Sequence, residues 1–185
     1  MTTRAVIGIA GRARAGKDSV AEAILRMGGG VYRYSFADPM RAMVKAGFGV
    51  DATDEFWQRH KEDACTVFRG RSLRYVMQTL GTEWGRDFID PEIWVSLAAD
   101  TLSVRGPGMV IADCRFPNEA AWIRQAGGLL IHVVRPDGPG VRAHLSEAGI
   151  ARDPRDPLIV NDGSLEELYE AVFDVLHGSP TVWDR

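Results

Sequence analysis

Gly11, Gly16 and Lys17 fit the spacing G-x-x-x-x-G-K, a pattern whose chemistry is the cradling of phosphate oxygens. The pattern occurs in GRARAGKDS, after the apolar run RAVIGIA and before VAEAIL at helical spacing, so it sits between a predicted strand and a predicted helix. Glycines let the backbone curl so that successive N–H groups point inward, and the N-terminus of the following helix adds favourable partial charge. Gly11, Arg14, Ala15, Gly16, Lys17, Asp18 and Ser19 are therefore the candidate set for binding the phosphates of a nucleotide, with Lys17 reaching the outer ones. Asp18 stands where the pattern usually has the Ser or Thr that binds magnesium, and Ser19 follows it. Either can serve the metal, directly or through water, because magnesium keeps several of its waters.

Two further carboxylates stand where strands are expected to end. VYRYSF reads as a β-rich run closing on Ala37-Asp38-Pro39; Asp38 can cap the helix that PMRAMVKAGF forms, and it can equally face a ligand at the C-terminal edge of a parallel sheet. MVIADC is a continuous apolar run ending in Asp113 and Cys114, and an Asp closing a buried strand beside a phosphate loop is a candidate to organise magnesium. In SLRYVMQTLGTEWGRDFI the apolar residues Leu73, Val76, Met77, Leu80 and Trp84 recur at helical spacing, while Arg74, Gln78, Thr82 and Arg86 are separated by fours. Such a row lies along one side of a helix, where two guanidinium groups framing an amide and a hydroxyl could grip a phosphate and a base edge. His132, inside the apolar run LLIHVV, reads as a satisfied core or rim histidine.

The elements that must position these residues alternate: strand, phosphate loop, helix, strand, helices, strand, helix, strand, helix, strand, helix. That order with right-handed crossovers gives a parallel sheet covered by helices on both faces. Asp90-Pro91 is expected to open the helix PEIWVSLAADTL, Pro117 to start NEAAWIRQAGG, and Ser164 with Glu167 to cap SLEELYEAVFDVL in capping-box spacing. The stretch RPDGPGVRAHLSEAGIARDPRDPLIV is rich in Pro, Gly and Arg and reads as a mobile basic flap or a surface loop; the role of Asp153-Pro154-Arg155-Asp156-Pro157 is left unassigned. A length of 185 residues fits one domain, long enough to bury roughly 70% of the surface of its unfolded chain. With 45% hydrophobic and 25% charged residues the composition is that of a globular protein. A formal charge of −3 gives no basic footprint and disfavours nucleic acid as the main partner. Two cysteines far apart in sequence suit a reducing compartment. Without a leader-like segment or a long apolar span, the expectation is a soluble cytoplasmic protein with no membrane partner.

Taken together, GRARAGKDS, SFADPM, LRYVMQTLGTEWGRDFI, IADCRFPNEA, the Arg135-Pro136 pair, HLSEAGI and VNDGSLEEL resemble the phage-type deoxynucleoside monophosphate kinases. The GKD form of the loop is itself a feature of that family. The resemblance implies a P-loop three-layer α/β/α sandwich of nucleoside-monophosphate-kinase type: one domain over residues 1–185, a five-stranded parallel sheet, a helical acceptor region near 50–105 and a lid near 136–157. It implies transfer of the ATP γ-phosphoryl group to a deoxynucleoside monophosphate with Mg2+, in host cytoplasm if phage-encoded. By the same resemblance Asp38 faces the acceptor phosphate, and Arg74, Gln78, Thr82, Trp84 and Arg86 line the acceptor site. Asp113 and Arg115 stand near the transferring group, Arg135 belongs to the donor site, Arg142 and His144 to the lid, and Asn161 borders the adenine. Ser72-Leu73-Arg74 departs from the Ser-Pro-Arg expected there. Dephospho-coenzyme A kinase is similar in architecture, so an acceptor of that kind stays open, as do a P-loop hydrolase, a binding module and a homodimer.

Overall fold

The computed structural model describes residues 5–50, 60–106, 108–136 and 150–178. They form two compact units, one of residues 1–35 and 99–185 and one of residues 36–98. The first carries a five-stranded sheet built from β1 (Ala5–Gly11), β2 (Val31–Tyr34), β5 (Gly108–Cys114), β6 (Leu129–Val134) and β7 (Leu158–Val160), in the spatial order β2-β5-β1-β6-β7. Every pairing is parallel, with Ile7 opposite Val110 on one side and Ile9 opposite Ile131 on the other. The continuous apolar runs of β1, β5 and β6 follow from this placement, because an inner parallel strand is covered on both faces.

Strand alternation sorts the two layers of helices. Ile7 and Ile9 pack into a core with Val20, Ala21 and Ile24 of α1 (Lys17–Met27) and with Leu168, Val172 and Leu176 of α6 (Leu165–His177). Gly8 points the other way, where Ile123 of α5 (Pro117–Gln125) lies against it. Each fully buried Ile, Leu or Val stabilises the fold by roughly 1.5–3 kcal/mol relative to exposure, so these stripes fix which ends of the helices meet the strand tips. The sandwich and its five parallel strands are as the sequence reading expects. Ser164 Oγ accepts from Glu167 N and Glu167 Oε2 from Ser164 N, at 3.2 and 2.6 Å, which completes the expected capping box.

The second unit contains α2 (Asp38–Phe48), the antiparallel pair β3 (Ala64–Cys65) and β4 (Arg71–Ser72), α3 (Leu73–Thr79) and a π-helix over Leu80–Ile89. Ser72 caps α3 by accepting from Tyr75 N at 3.2 Å. Three details differ from expectation. Asp38 is the first residue of α2 and Ala37 its cap, so the carboxylate favours the helix through its dipole and not as a side-chain cap. The helix expected at Asp90-Pro91 begins instead as α4 (Ile93–Arg105), because Asp90 Oδ1 first closes a turn by accepting from Glu92 N at 2.7 Å. The segment after Ser72 is not one α-helix: from Leu80 it widens to i→i+5 pairing, a geometry frequent at functional sites. Among the described residues no helix is long and apolar enough to cross a membrane.

Candidate functional site

At the C-terminal end of β1 the chain enters the glycine loop. Gly11 has φ +149° and lies so close to β6 that a Cβ would stand 2.4 Å from the Val133 carbonyl oxygen. Gly16, with φ +102° and ψ 15°, is the left-handed cap of α1, a conformation costly for any residue with a side chain. Between them Arg14 is exposed at φ +67°, and buried Ala15 donates its N–H to the Arg12 carbonyl at 3.2 Å. Lys17 Nζ donates to the same carbonyl at 2.6 Å, which folds the ammonium back over the loop. Burial, helped by the positive charge of Arg115, holds the Lys17 pKa below the usual lysine value; an ammonium poor in solvation gains most when a phosphate replaces the missing water.

Asn161 follows β7. Its Nδ2 donates to the Ala15 carbonyl at 2.9 Å, so the residue expected beside the adenine clamps the loop backbone. Asp113 is the last residue but one of β5 and lies in an irregularity of the β1–β5 register, where one extra residue on β5 separates Ile111 from Cys114; such bulges re-aim the side chains around them. Its Oδ2 accepts from Ser35 Oγ at 2.5 Å. Buried Glu119 accepts from the backbone N–H groups of Arg115 and Phe116 at 2.8 and 3.0 Å. This fixes the chain where exposed Arg115 leaves the sheet. Asp18 is exposed and paired with Arg33 of β2, and Ser19 is half-buried. Arg135 is exposed just beyond β6. Ser35 and Arg33 had no sequence signal beyond their hydroxyl or charge, since their partners lie elsewhere in the chain. Glu119 had a local one, its place two residues after Pro117 in the first turn of α5, where an acid can reach back to the N–H groups before the helix.

Asp18, Ser19 and Asp113 are hard oxygen donors, the chemistry magnesium takes. Among the described residues no group of three or more His, Cys, Asp or Glu gathers as a metal cage. Magnesium needs none, since one or two carboxylates complete a shell otherwise made of water and substrate phosphates. The residues fit the ion.

In the second unit Asp38 Oδ1 accepts from Arg41 at 3.2 Å, and Arg74 is paired with Glu62. Gln78 and Thr82 are exposed, and Arg86 donates to the Gly81 carbonyl at 2.9 Å. The same carbonyl accepts from Trp94 Nε1 at 2.8 Å. Buried Trp94 lies so close to the π-helix that a Cβ on Gly85 would stand 2.4 Å from its ring. Of the expected apolar stripe, Leu73 and Met77 are buried, Val76 and Leu80 half-buried, and Trp84 is 39% exposed. Trp84 is thus a surface aromatic beside Trp94, ring centroids 6.5 Å apart, because the wider helix turns it away from the α3 core stripe.

His132 is a core histidine as expected, its Nε2 3.3 Å from Oδ2 of Asp156. Asp156, 6% exposed, also accepts from Arg124 and from Asp153 N. The Asp153–Pro157 segment therefore anchors the chain entering β7. Arg142 and His144, the expected lid residues, lie outside the described residues.

The strand–loop–helix geometry on a parallel sheet defines a P-loop nucleotide-binding protein of the α/β kinase fold. Solved structures agree on the fold: dephospho-CoA kinase from Campylobacter jejuni superposes with a TM-score of 0.51 at 12% identity, covering 96% of each chain. TT1252 from Thermus thermophilus gives 0.51 at 18% identity, over 95% of this chain and 97% of that one. A model of the deoxynucleotide monophosphate kinase family matches residues 58–172, and the chain belongs to that family. It is 38% identical over 109 residues to the deoxynucleotide monophosphate kinase of Enterobacteria phage T4, and 37% identical over 109 residues to that of Escherichia phage RB69. Each alignment takes in 57% of this chain and 45% of the phage protein, so the chain spans less than half the length of these relatives. A relative from Acanthamoeba polyphaga mimivirus is 29% identical over 181 residues, 90% of this chain and 93% of its own.

Proposed function

We propose that the protein transfers the γ-phosphoryl group of ATP to a deoxynucleoside monophosphate, giving a deoxynucleoside diphosphate and ADP. The observation that carries this reading is the family match over residues 58–172, which contains Arg74 to Arg86 and Asp113 to Arg115. The phosphate loop lies outside that match, and its geometry supports a triphosphate donor independently. An oxygen of the acceptor monophosphate forms the new bond to the γ-phosphorus while the bond from that phosphorus to the β–γ bridging oxygen breaks, and ADP leaves. A monophosphate is already nucleophilic at neutral pH, so the protein's task is positioning and charge compensation.

On this reading the loop N–H groups and Lys17 hold the donor phosphates, with Arg14 and Arg135 at the rim of that site. Arg115, its backbone fixed by Glu119, supplies positive charge near the transferring group, and Arg142 and His144 keep the lid role that the family resemblance gives them. Asp18, Ser19 and Asp113 are the residues to hold Mg2+, which when bound spreads the charge of the β- and γ-phosphates. Arg74, Gln78, Thr82, Trp84 and Arg86 form the acceptor face, and Asp38 orients the acceptor phosphate. Asn161 serves the donor side through the loop it clamps. The protein works in the cytoplasm, that of the host if phage-encoded, with the nucleotide as its partner.

The test is ADP release from magnesium-ATP with each deoxynucleoside monophosphate, each ribonucleoside monophosphate, dephospho-coenzyme A and no acceptor. Turnover that depends on one or a few deoxynucleotides supports the proposal. Turnover with dephospho-coenzyme A alone, or without any acceptor, refutes it.

A further inference from the structure

Asp18 brings a carboxylate into the first turn of α1, directly after Lys17. The sequence pattern usually has an uncharged hydroxyl there. A bare carboxylate at that position opposes the entry of a polyanion into a cradle of N–H groups. The structure answers with Arg33, whose guanidinium donates to Asp18 Oδ1 from β2, fifteen positions further along the chain. Val31 of the same strand packs against the core shared with α1. Strand alternation carries Arg33 to that same face of the sheet, next to the N-terminus of α1.

We infer that Arg33 is a positioning residue of the donor site: it neutralises Asp18 so that a triphosphate can occupy the loop. This inference rests on the donor-site reading above. The side chains of Arg33 and Asp18 are 39% and 72% exposed, and an exposed pair of this kind adds little to folding. Its charge matters to a neighbouring polyanion, whose several negative charges each feel the uncompensated carboxylate. Arg33→Gln therefore folds normally and separates the electrostatic role from a structural one.

The experiment is equilibrium binding of ATP, AMP and adenosine, with Mg2+ and with EDTA, to the full chain and to Arg33→Gln, Asp18→Asn, Arg33→Gln/Asp18→Asn, Arg33→Lys and Lys17→Ala, each checked by thermal unfolding. In EDTA, Arg33→Gln weakens ATP about tenfold, given the screening at an exposed site, and adenosine hardly at all. In EDTA, where Asp18 has no metal to hold, the double variant returns to within about twofold of the wild type, because both charges have gone, and Arg33→Lys keeps most of the affinity. Unchanged ATP affinity in Arg33→Gln, while Lys17→Ala loses it, overturns this inference alone. A double variant as weak as Arg33→Gln also overturns it, since Arg33 then meets the phosphates directly. Absence of ATP binding by the wild type, or binding untouched in Lys17→Ala, overturns the donor-site reading and this inference with it.

Discussion

The conformation of the phosphate loop depends on a contact that a double-mutant cycle can isolate. Gly16 holds φ +102°, which costs an alanine about 1–2 kcal/mol. A Cβ there would also stand 2.4 Å from Asn161 Nδ2, the atom that donates to the Ala15 carbonyl at 2.9 Å. Relieving that overlap costs about 1–2 kcal/mol more, by displaced packing and a weakened hydrogen bond. Gly16→Ala should therefore destabilise by about 2–4 kcal/mol. Asn161→Ala should cost about 1 kcal/mol, the worth of an ordinary hydrogen bond. In the double variant the obstacle is gone and only the backbone strain and the lost hydrogen bond remain, about 2–3 kcal/mol against a sum of about 3–5. Urea unfolding followed by far-UV circular dichroism measures all four proteins. Additivity within about 0.5 kcal/mol, or a Gly16→Ala protein as stable as the wild type, would refute the geometry on which the cradle is argued.

Burial pushes the His132 pKa below its usual value despite the Asp156 carboxylate beside it, with Arg124 and Arg152 adding in the same direction as burial. The unfolded chain then binds this proton first, so the contribution of His132 to stability is complete above its unfolded pKa and is lost as the pH falls through its lower folded one. Thermal unfolding midpoints from pH 8 to 5 should show this decline in the wild type, and less of it in His132→Phe. Cys114 is buried, and its thiol pKa is driven far above the ordinary range, first by burial and then by the Glu119 and Asp113 charges. Half-buried Cys65 should react with a thiol reagent in the native protein, and Cys114 only on unfolding; two thiols titrating at one rate would contradict the buried placement.

The sheet was legible because β1, β5 and β6 are runs of apolar residues long enough to be strands and bounded by glycine, and the loop because its glycines are spaced by backbone necessity. Ser164 and Glu167 were legible for a similar reason: a capping box is local. What stayed hidden is long-range. Nothing in the neighbourhood of Ser35 announces Asp113, 78 residues away. Glu119 is the local exception: it holds the N–H groups of Arg115 and Phe116, four and three residues before it, and what the sequence does not show is that the fold buries it. Trp84, which the apolar stripe counts as core, is exposed because it falls in the π-paired segment, a change of pairing that the stripe does not encode. Asp156 lies in a segment that reads as loop, and its worth appears only once Arg124 and His132 are brought to it from α5 and β6.

The central claim is that the loop around Lys17 delivers a phosphoryl group to a nucleotide and not to water. The most direct measurement follows the label from [γ-32P]ATP in the presence of magnesium and the deoxynucleoside monophosphates, in the wild type and in Lys17→Ala. The account predicts label in a deoxynucleoside diphosphate, with the rate in Lys17→Ala reduced by about 10²–10³-fold, as for removal of one preorganised electrostatic contact. Label appearing only as inorganic phosphate, or transfer undiminished in Lys17→Ala, would contradict it.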